Sequence, residues 1–176
     1  VAATTLLLLI PLFVMTAIAI KLDSPGPVIF RQRRSGFNGR QFHIMKFRTM
    51  SVLEDGETVV QAERNDSRVT RVGNWLRRTS IDELPQLFNV LSGQMALVGP
   101  RPCLGWEAEL FPAEYAARFT VRPGLTGLWQ VSGRSTLGTL DMLRLDVHYV
   151  RTRTLAMDLA ILLRTPPALL RRDGAR

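Results

Sequence analysis

No residue from Val1 to Ile20 carries a charge, and the first charged side chain is Lys21. At 1.5 Å per residue, about 20 residues of helix reach roughly 30 Å, the thickness of a bilayer's hydrocarbon core. Pro11 stands in the middle of that run, and a proline there removes a helical hydrogen bond and bends the segment. Two geometries follow: a kinked span, or a re-entrant hairpin that enters and leaves on one face. A cleavable signal peptide fits less well, since no basic n-region is visible and no A-x-A site follows. A buried soluble helix is the plain structural alternative.

The flank sharpens the choice. Residues 21–48 carry Lys21, Arg31, Arg33, Arg34, Arg40, Lys46 and Arg48 against Asp23 alone. Basic groups beside an apolar segment are drawn to anionic headgroups by about 1 kcal/mol each. The positive-inside bias then keeps this flank cytoplasmic. The expected division is a membrane-inserted helix at 1–22 and a cytoplasmic domain at 23–176. Over the whole chain 23 Lys and Arg face 15 Asp and Glu, a net charge of +8. That excess calls for an anionic partner: nucleic acid, anionic lipid or a phosphorylated substrate. An apolar content of 46% excludes a disordered chain. The single Cys103 excludes a disulfide scaffold and a cysteine-based zinc cage.

Beyond Lys21 the pattern reads as α+β, mainly helical with one small hairpin. Asp23-Ser24-Pro25-Gly26-Pro27 is a turn. Val28 to Arg33 and Gln41 to Arg48 read as strands joined by Ser35-Gly36-Phe37-Asn38-Gly39. Residues 51–67 are polar and loop-like. Val69, Val72 and Leu76 recur at helical spacing among arginines, which predicts a short basic amphipathic helix. Leu84 to Leu91 reads as helix ended by Ser92-Gly93, and 107–119 as helix interrupted by Pro112. Residues 120–138 read as a glycine-rich loop, and Leu140, Leu143, Val147 and Val150 mark one face of a helix. The tail from Leu155, broken at Pro166-Pro167, is too short to span and suits an interfacial helix or packing on the domain.

Three stretches could carry chemistry. In Arg77-Arg78-Thr79-Ser80-Ile81-Asp82-Glu83-Leu84-Pro85, adjacent carboxylates follow two arginines. Ser80 and Glu83 have capping-box spacing, whereas Pro85 favours Asp82 as the cap. An aspartate at a helix start stays ionised, and an ionised carboxylate can attack phosphorus. In Val98-Gly99-Pro100-Arg101-Pro102 two prolines pin Arg101, whose guanidinium fork matches phosphate oxygens. The third stretch, Arg122 to Arg134, has glycines that let backbone N–H groups approach an anion, with Trp129 and Arg134 beside them. His43 and His148 stand apart, so a zinc site is not expected, and no G-x-S-x-G element is present. Trp75, Trp106 and Trp129 read as packing or interface anchors.

Taken in order, these stretches resemble the bacterial sugar transferase family, the monotopic phosphoglycosyl transferases. The likeness runs through the apolar start with its proline and Ser24-Pro25-Gly26-Pro27-Val28-Ile29-Phe30. It continues in Lys46-Phe47-Arg48-Thr49-Met50, Thr79 to Val90, Leu97 to Pro102, Arg122 to Arg134 and Leu145 to Val150. The resemblance implies a covalent two-step transfer, with Asp82 as nucleophile on the β-phosphorus of a UDP-sugar. UDP-glucose and UDP-galactose are the favoured donors, UMP the leaving group, and a polyprenyl (undecaprenyl) phosphate the acceptor. It implies Glu83 as the second member of the dyad, and Mg²⁺ held by Asp82 and Glu83 with substrate phosphates. Lys46, Arg48, Arg101, Arg134 and Asp146 are the expected phosphate and substrate contacts, and Pro11 the break in a re-entrant helix. It implies the inner membrane of a bacterium, with the catalytic domain facing the cytoplasm, and leaves a homodimer open.

Two departures stand out. Only ten residues precede Pro11, an arm of about 15 Å, and the chain begins at Val1. The short arm reads as the shortened start of a longer family member, and Val1 as a fragment, a processed product or an unusual start codon. The main rival is a non-enzymatic peripheral protein that uses its basic face on anionic lipid. A nucleic-acid binder accounts for the charge but not for the first twenty residues, and no RNP-like or helix-turn-helix pattern accompanies it.

Overall fold

The uncharged run folds as one helix with two apolar faces. In the computed structural model, which describes residues 2–51, 66–133 and 136–170, α1 (Ala2–Asp23) continues through Pro11. Ala2, Leu6, Thr16 and Ile20 along one side are buried. Between them Phe13 meets the edge of Phe47 at 5.1 Å and of Phe88 at 6.1 Å between ring centroids. On the other side Leu7, Leu8, Val14, Met15 and Leu22 are exposed. Among the described residues α1 alone is long and apolar enough to cross a membrane.

The domain beside it begins with the expected hairpin. β1 (Ile29–Ser35) and β2 (Gln41–Phe47) pair antiparallel, with Ile29 opposite Phe47 and Ser35 opposite Gln41. Asn38 and Gly39 take positive φ in the connecting turn, a backbone conformation to which both residue types are suited. α2 (Arg71–Thr79) is capped by Thr70, whose hydroxyl accepts from Gly73 N at 3.0 Å. Asp23 at the end of α1 accepts from Val72 N at 3.1 Å, tying the first helix to the start of α2. Ile20, Phe47 and Leu76 form the core where α1, β2 and α2 meet.

α3 (Gln86–Leu91) follows, and its Asn89 is fully buried. That side chain accepts from Met45 N at 3.0 Å and donates to His43 O and Gln94 Oε1, each at 2.7 Å. Such bonds contribute about 1 kcal/mol each, and leaving their partners unpaired costs more. They fix α3 against β2, and so fix Lys46 relative to the residues just before α3.

The remaining order is β3 (Ala96–Val98), α4 (Gly105–Leu110), a 3₁₀ segment at Ala113–Thr120, β4 (Gly124–Thr126) and α5 (Leu128–Ser132). α6 (Thr139–Thr152) and α7 (Leu155–Leu170) complete it. The stretch at 120–138, expected as loop, thus contains a strand and a short helix. β4 pairs with β3 in parallel, Ala96 opposite Gly124 and Val98 opposite Thr126. A side chain at Gly124 would collide with the backbone of Gly99, so glycine is what allows the two strands to meet. α7 also corrects an expectation, because it runs through Pro166 and Pro167 without a break. Ile161 of α7 is buried with Val98 and Tyr149, so one face of this helix belongs to the core. Leu155, Leu159 and Leu163 remain exposed. Residues 52–65, most of the polar segment, lie outside the described residues.

Candidate active site

The two adjacent carboxylates sit on a turn rather than at a helix cap. Ser80 ends α2 with φ 55° and ψ 18°, and Ile81–Glu83 form a 3₁₀ turn ahead of Pro85. The expected capping box is absent, since Ser80 makes no side-chain capping bond. Nor does Asp82 cap α3, whose N-terminal neighbour is Pro85. Glu83 instead reaches across the chain. Its Oε1 accepts from Lys46 Nζ at 2.9 Å and Arg101 Nη2 at 2.5 Å, and its Oε2 accepts from Arg101 Nη1 at 3.1 Å. Two charge-assisted partners outweigh one backbone amide.

Asp82 differs from its neighbour in burial and in partners. It is 8% exposed, and among the described residues nothing donates a hydrogen bond to it. Burial pushes its pKa from 3.8 up to about 6, and the Glu83 charge adds to that rise. Lys46, Arg77 and Arg101 pull the other way. Glu83 is half-buried, and Arg101 and Lys46 hold its carboxyl well below the ordinary range. One carboxylate is therefore committed to cations, while the other is desolvated and, among the described residues, receives no hydrogen bond.

A second ionic group lies behind Arg101. Arg118, from the 3₁₀ segment, donates to Asp146 Oδ2 from Nε at 3.2 Å and from Nη2 at 2.9 Å. The same Nη2 donates to the carbonyl of Arg101 at 2.8 Å, and Nη1 to Cys103 Sγ at 3.1 Å. The Phe111 and Phe119 rings lie 5.0 and 5.2 Å from the guanidinium carbon. Burial raises the Asp146 pKa to about 6 even though Arg118 lowers it. This buried pair braces the Pro100-Arg101-Pro102 turn from inside the fold.

The structure thus gathers Lys46, Asp82, Glu83 and Arg101. Asp146 reaches the group only through Arg118. Arg48 lies elsewhere: it is buried, with Nη2 donating to Ser24 O at 2.7 Å and Ser24 Oγ at 3.0 Å, and Nη1 to Pro25 O. Its two terminal nitrogens hold the turn after α1, while its Nε is buried without a partner among the described residues, so the side chain is not gathered with Lys46, Asp82, Glu83 and Arg101. Arg134 lies outside the described residues. Arg118 and Arg34 were not among the sequence candidates. Arg34 faces Glu107 at 3.8 Å, and its pKa falls to about 10, first through burial and then through the charge of Arg101. Its only sequence signal was membership of the basic run, and Arg118 had none.

Two cavities flank the cluster. The wider, of about 650 Å³, is walled by Arg34, Arg101, Trp106, Arg118, Trp129 and Asp146 among others. The narrower, of about 230 Å³, has Ser80 and Glu83 at its polar edge and is otherwise mainly apolar. The Glu83–Arg101 ion pair stands between them. Trp106 and Trp129 line the wider cavity, whereas Trp75 is exposed on α2.

As a cation site the cluster fits in part. Among the described residues no group of three or more His, Cys, Asp or Glu is assembled, and both Glu83 oxygens already accept from Arg101. Asp82 is the carboxylate with open oxygens. The donor set suits an ion that arrives with a diphosphate, which supplies the further oxygens.

The sequence matches the family described as bacterial sugar transferase over residues 1–172. It is 52% identical over 182 residues to the UDP-glucose:undecaprenyl-phosphate glucose-1-phosphate transferase of Caulobacter vibrioides, across 99% of this chain and 68% of that protein. To the Escherichia coli protein of the same name it is 46% identical, across 94% of this chain and 38% of the relative. To the exopolysaccharide production protein ExoY of Rhizobium meliloti it is 40% identical, across 99% of this chain and 84% of the relative. This chain therefore spans between 38% and 84% of the length of these three relatives.

Proposed function

The chain belongs to the bacterial sugar transferase family and is a transferase, and from that premise we propose that it moves a sugar 1-phosphate from a UDP-sugar to a polyprenyl phosphate. UDP-glucose and UDP-galactose are the first donors to test and undecaprenyl phosphate the first acceptor. The observation that carries the reading is Asp82: a buried carboxylate that receives no hydrogen bond among the described residues, beside a Glu83 held by Lys46 and Arg101.

In the first step an Asp82 oxygen attacks the β-phosphorus, an O–P bond forms, and the bond to the bridging oxygen breaks. UMP leaves with that oxygen, and the sugar phosphate stays on Asp82. In the second step an oxygen of the polyprenyl phosphate attacks the same phosphorus. The aspartyl–phosphorus bond breaks, Asp82 is freed, and polyprenyl diphosphate sugar departs. Arg101 and Lys46 face charge that builds on the transferring oxygens, and being held by Glu83 beforehand they need little reorganisation. The wider cavity, with Arg34, Arg101 and two tryptophans, receives the nucleotide. Mg²⁺ would be held by Asp82 together with phosphate oxygens, and when bound it neutralises diphosphate charge against the incoming carboxylate.

The membrane assignment follows from the same reading. α1 packs along the domain from Ala2 to Ile20, so it meets lipid sideways through its bare face, with Pro11 on the exposed side. The exposed leucines of α7 lie in the interface. We place the enzyme on the inner membrane with its catalytic groups on the cytoplasmic side, where the basic flank is retained.

Two measurements test this. Incubated with UDP-sugar and Mg²⁺ but no acceptor, the protein should release UMP and gain the mass of a hexose phosphate on Asp82. Transfer without such an adduct overturns the covalent route. The rate of that half-reaction should also rise about tenfold per pH unit below about 6 and level off above it, since protonated Asp82 cannot attack. A flat profile between pH 5 and 7 removes Asp82 as the titrating nucleophile.

A further inference from the structure

The narrower cavity is bounded by the β3–β4 pair on one side and the C-terminal half of α7 on the other. Leu97 and Leu125 supply the sheet side, and Leu162 and Leu169 the helix side. Two polar residues in the wall satisfy each other, Thr126 Oγ1 lying 2.9 Å from Thr165 Oγ1, so they add little polarity. Gln130 is the exception. It is 9% exposed, and its Oε1 has no hydrogen-bond partner. Unpaired polar atoms this deep are uncommon and point to a group that comes and goes.

The position of the cavity identifies its occupant. One edge is Ser80 and Glu83, next to the reacting carboxylate and the cations Lys46 and Arg101. Leu97 and Leu125 also pack against the Ala2–Leu6 end of α1, so the far walls are shared with the helix whose other face is bare and apolar. A ligand that runs along it must be anionic at one end and hydrocarbon for the rest. At about 230 Å³ the cavity falls below the range of roughly 300–1,000 Å³ common for small-molecule sites. It takes the leading part of a chain rather than a whole lipid.

We propose that this groove, walled by Leu97, Leu125, Leu162 and Leu169, receives the first isoprenyl units of the acceptor and aims its phosphate at Asp82. The proposal rests on the transfer reaction proposed above and adds where the acceptor chain lies. Each methylene removed from water contributes about 0.8 kcal/mol, so even a short length buried here anchors the phosphate. Gln130 Oε1, an acceptor, suits a hydroxyl of the sugar, and the phosphate is left to the cations Lys46 and Arg101 at the cavity's edge. Donor and acceptor then approach from opposite sides of the Glu83–Arg101 pair.

Two experiments on the whole chain decide it. Ala168→Phe should fill the groove from α7, and the ratio of the acceptor step to the UMP-releasing step should fall on the order of tenfold or more, the effect of about 1.4 kcal/mol. An unchanged ratio counts against the groove. In the wild-type protein, a diazirine-bearing farnesyl phosphate should cross-link to the peptide holding Leu162 and Leu169. Excess undecaprenyl phosphate should protect that peptide, and phosphatidylglycerol should not. Equal protection by phosphatidylglycerol assigns the groove to bulk lipid and overturns the proposal. If specific cross-linking occurs but no adduct ever forms on Asp82, the covalent mechanism fails while the groove stands.

Discussion

Asp82→Asn is expected to abolish UMP release, by at least about a thousandfold, because the amide cannot form the aspartyl–phosphorus bond. The same variant should be more stable than the wild type, and that second readout separates lost chemistry from lost folding. Asp82 titrates near 6 in the folded chain against an ordinary 3.8, and burial is the main cause. Below about pH 4 both folded and unfolded chains hold the proton, so the variant gains nothing. Between about 4 and 6 the unfolded carboxyl ionises first, and the wild type loses stability as pH rises. Above 6 the penalty is complete, on the order of 2–3 kcal/mol at pH 8. Thermal unfolding in detergent at pH 4 and pH 8 should show the two proteins alike at the first pH and the variant ahead at the second. A variant that is inactive and also less stable at pH 8 would mean that the side chain is structural.

Arg101→Ala is expected to cut turnover about a hundredfold to a thousandfold, the usual cost of removing a preorganised donor from developing charge. Its effect on stability should be much smaller, because the guanidinium is one-third exposed and solvent screens such pairs. Arg101→Lys should recover only part of the rate, since an ammonium keeps the charge but not the two-pronged contact with Glu83. The loss should fall mainly on kcat. A change confined to the KM for UDP-sugar, with kcat intact, would reduce Arg101 to a ground-state binding contact.

How much of this could be read from the chain depends on how local each interaction is. The hairpin was legible because two short runs and the glycine-bearing turn that joins them are neighbours in sequence, and their antiparallel pairing agrees. The β3–β4 pair was not legible. Strands of three residues have no period, and the approach of Gly99 to Gly124 joins segments with nothing local in common. Ser80 and Glu83 had the spacing of a cap, but Ser80 turns left-handed and Glu83 finds partners 18 and 37 residues away. Arg48 sat in a basic run and a family motif, yet its two terminal nitrogens serve Ser24 and Pro25 of a turn. Charge shows in a sequence; what it faces does not. Arg118 is the clearest case, since its partners Asp146, Arg101 and Cys103 come together only when α6 and the Pro-Arg-Pro turn are both in place.

The first helix is half wall and half raft. Ala2 and Leu6 cover Leu87, and Phe13 and Ile20 cover Phe47 and Leu76. Cutting it away to obtain a water-soluble enzyme would unroof the catalytic domain and trade one greasy surface for another. Any change meant to make the protein more water-soluble therefore belongs on the outward side, at Leu7, Leu8, Val14, Met15 and Leu22, with the inward side left alone.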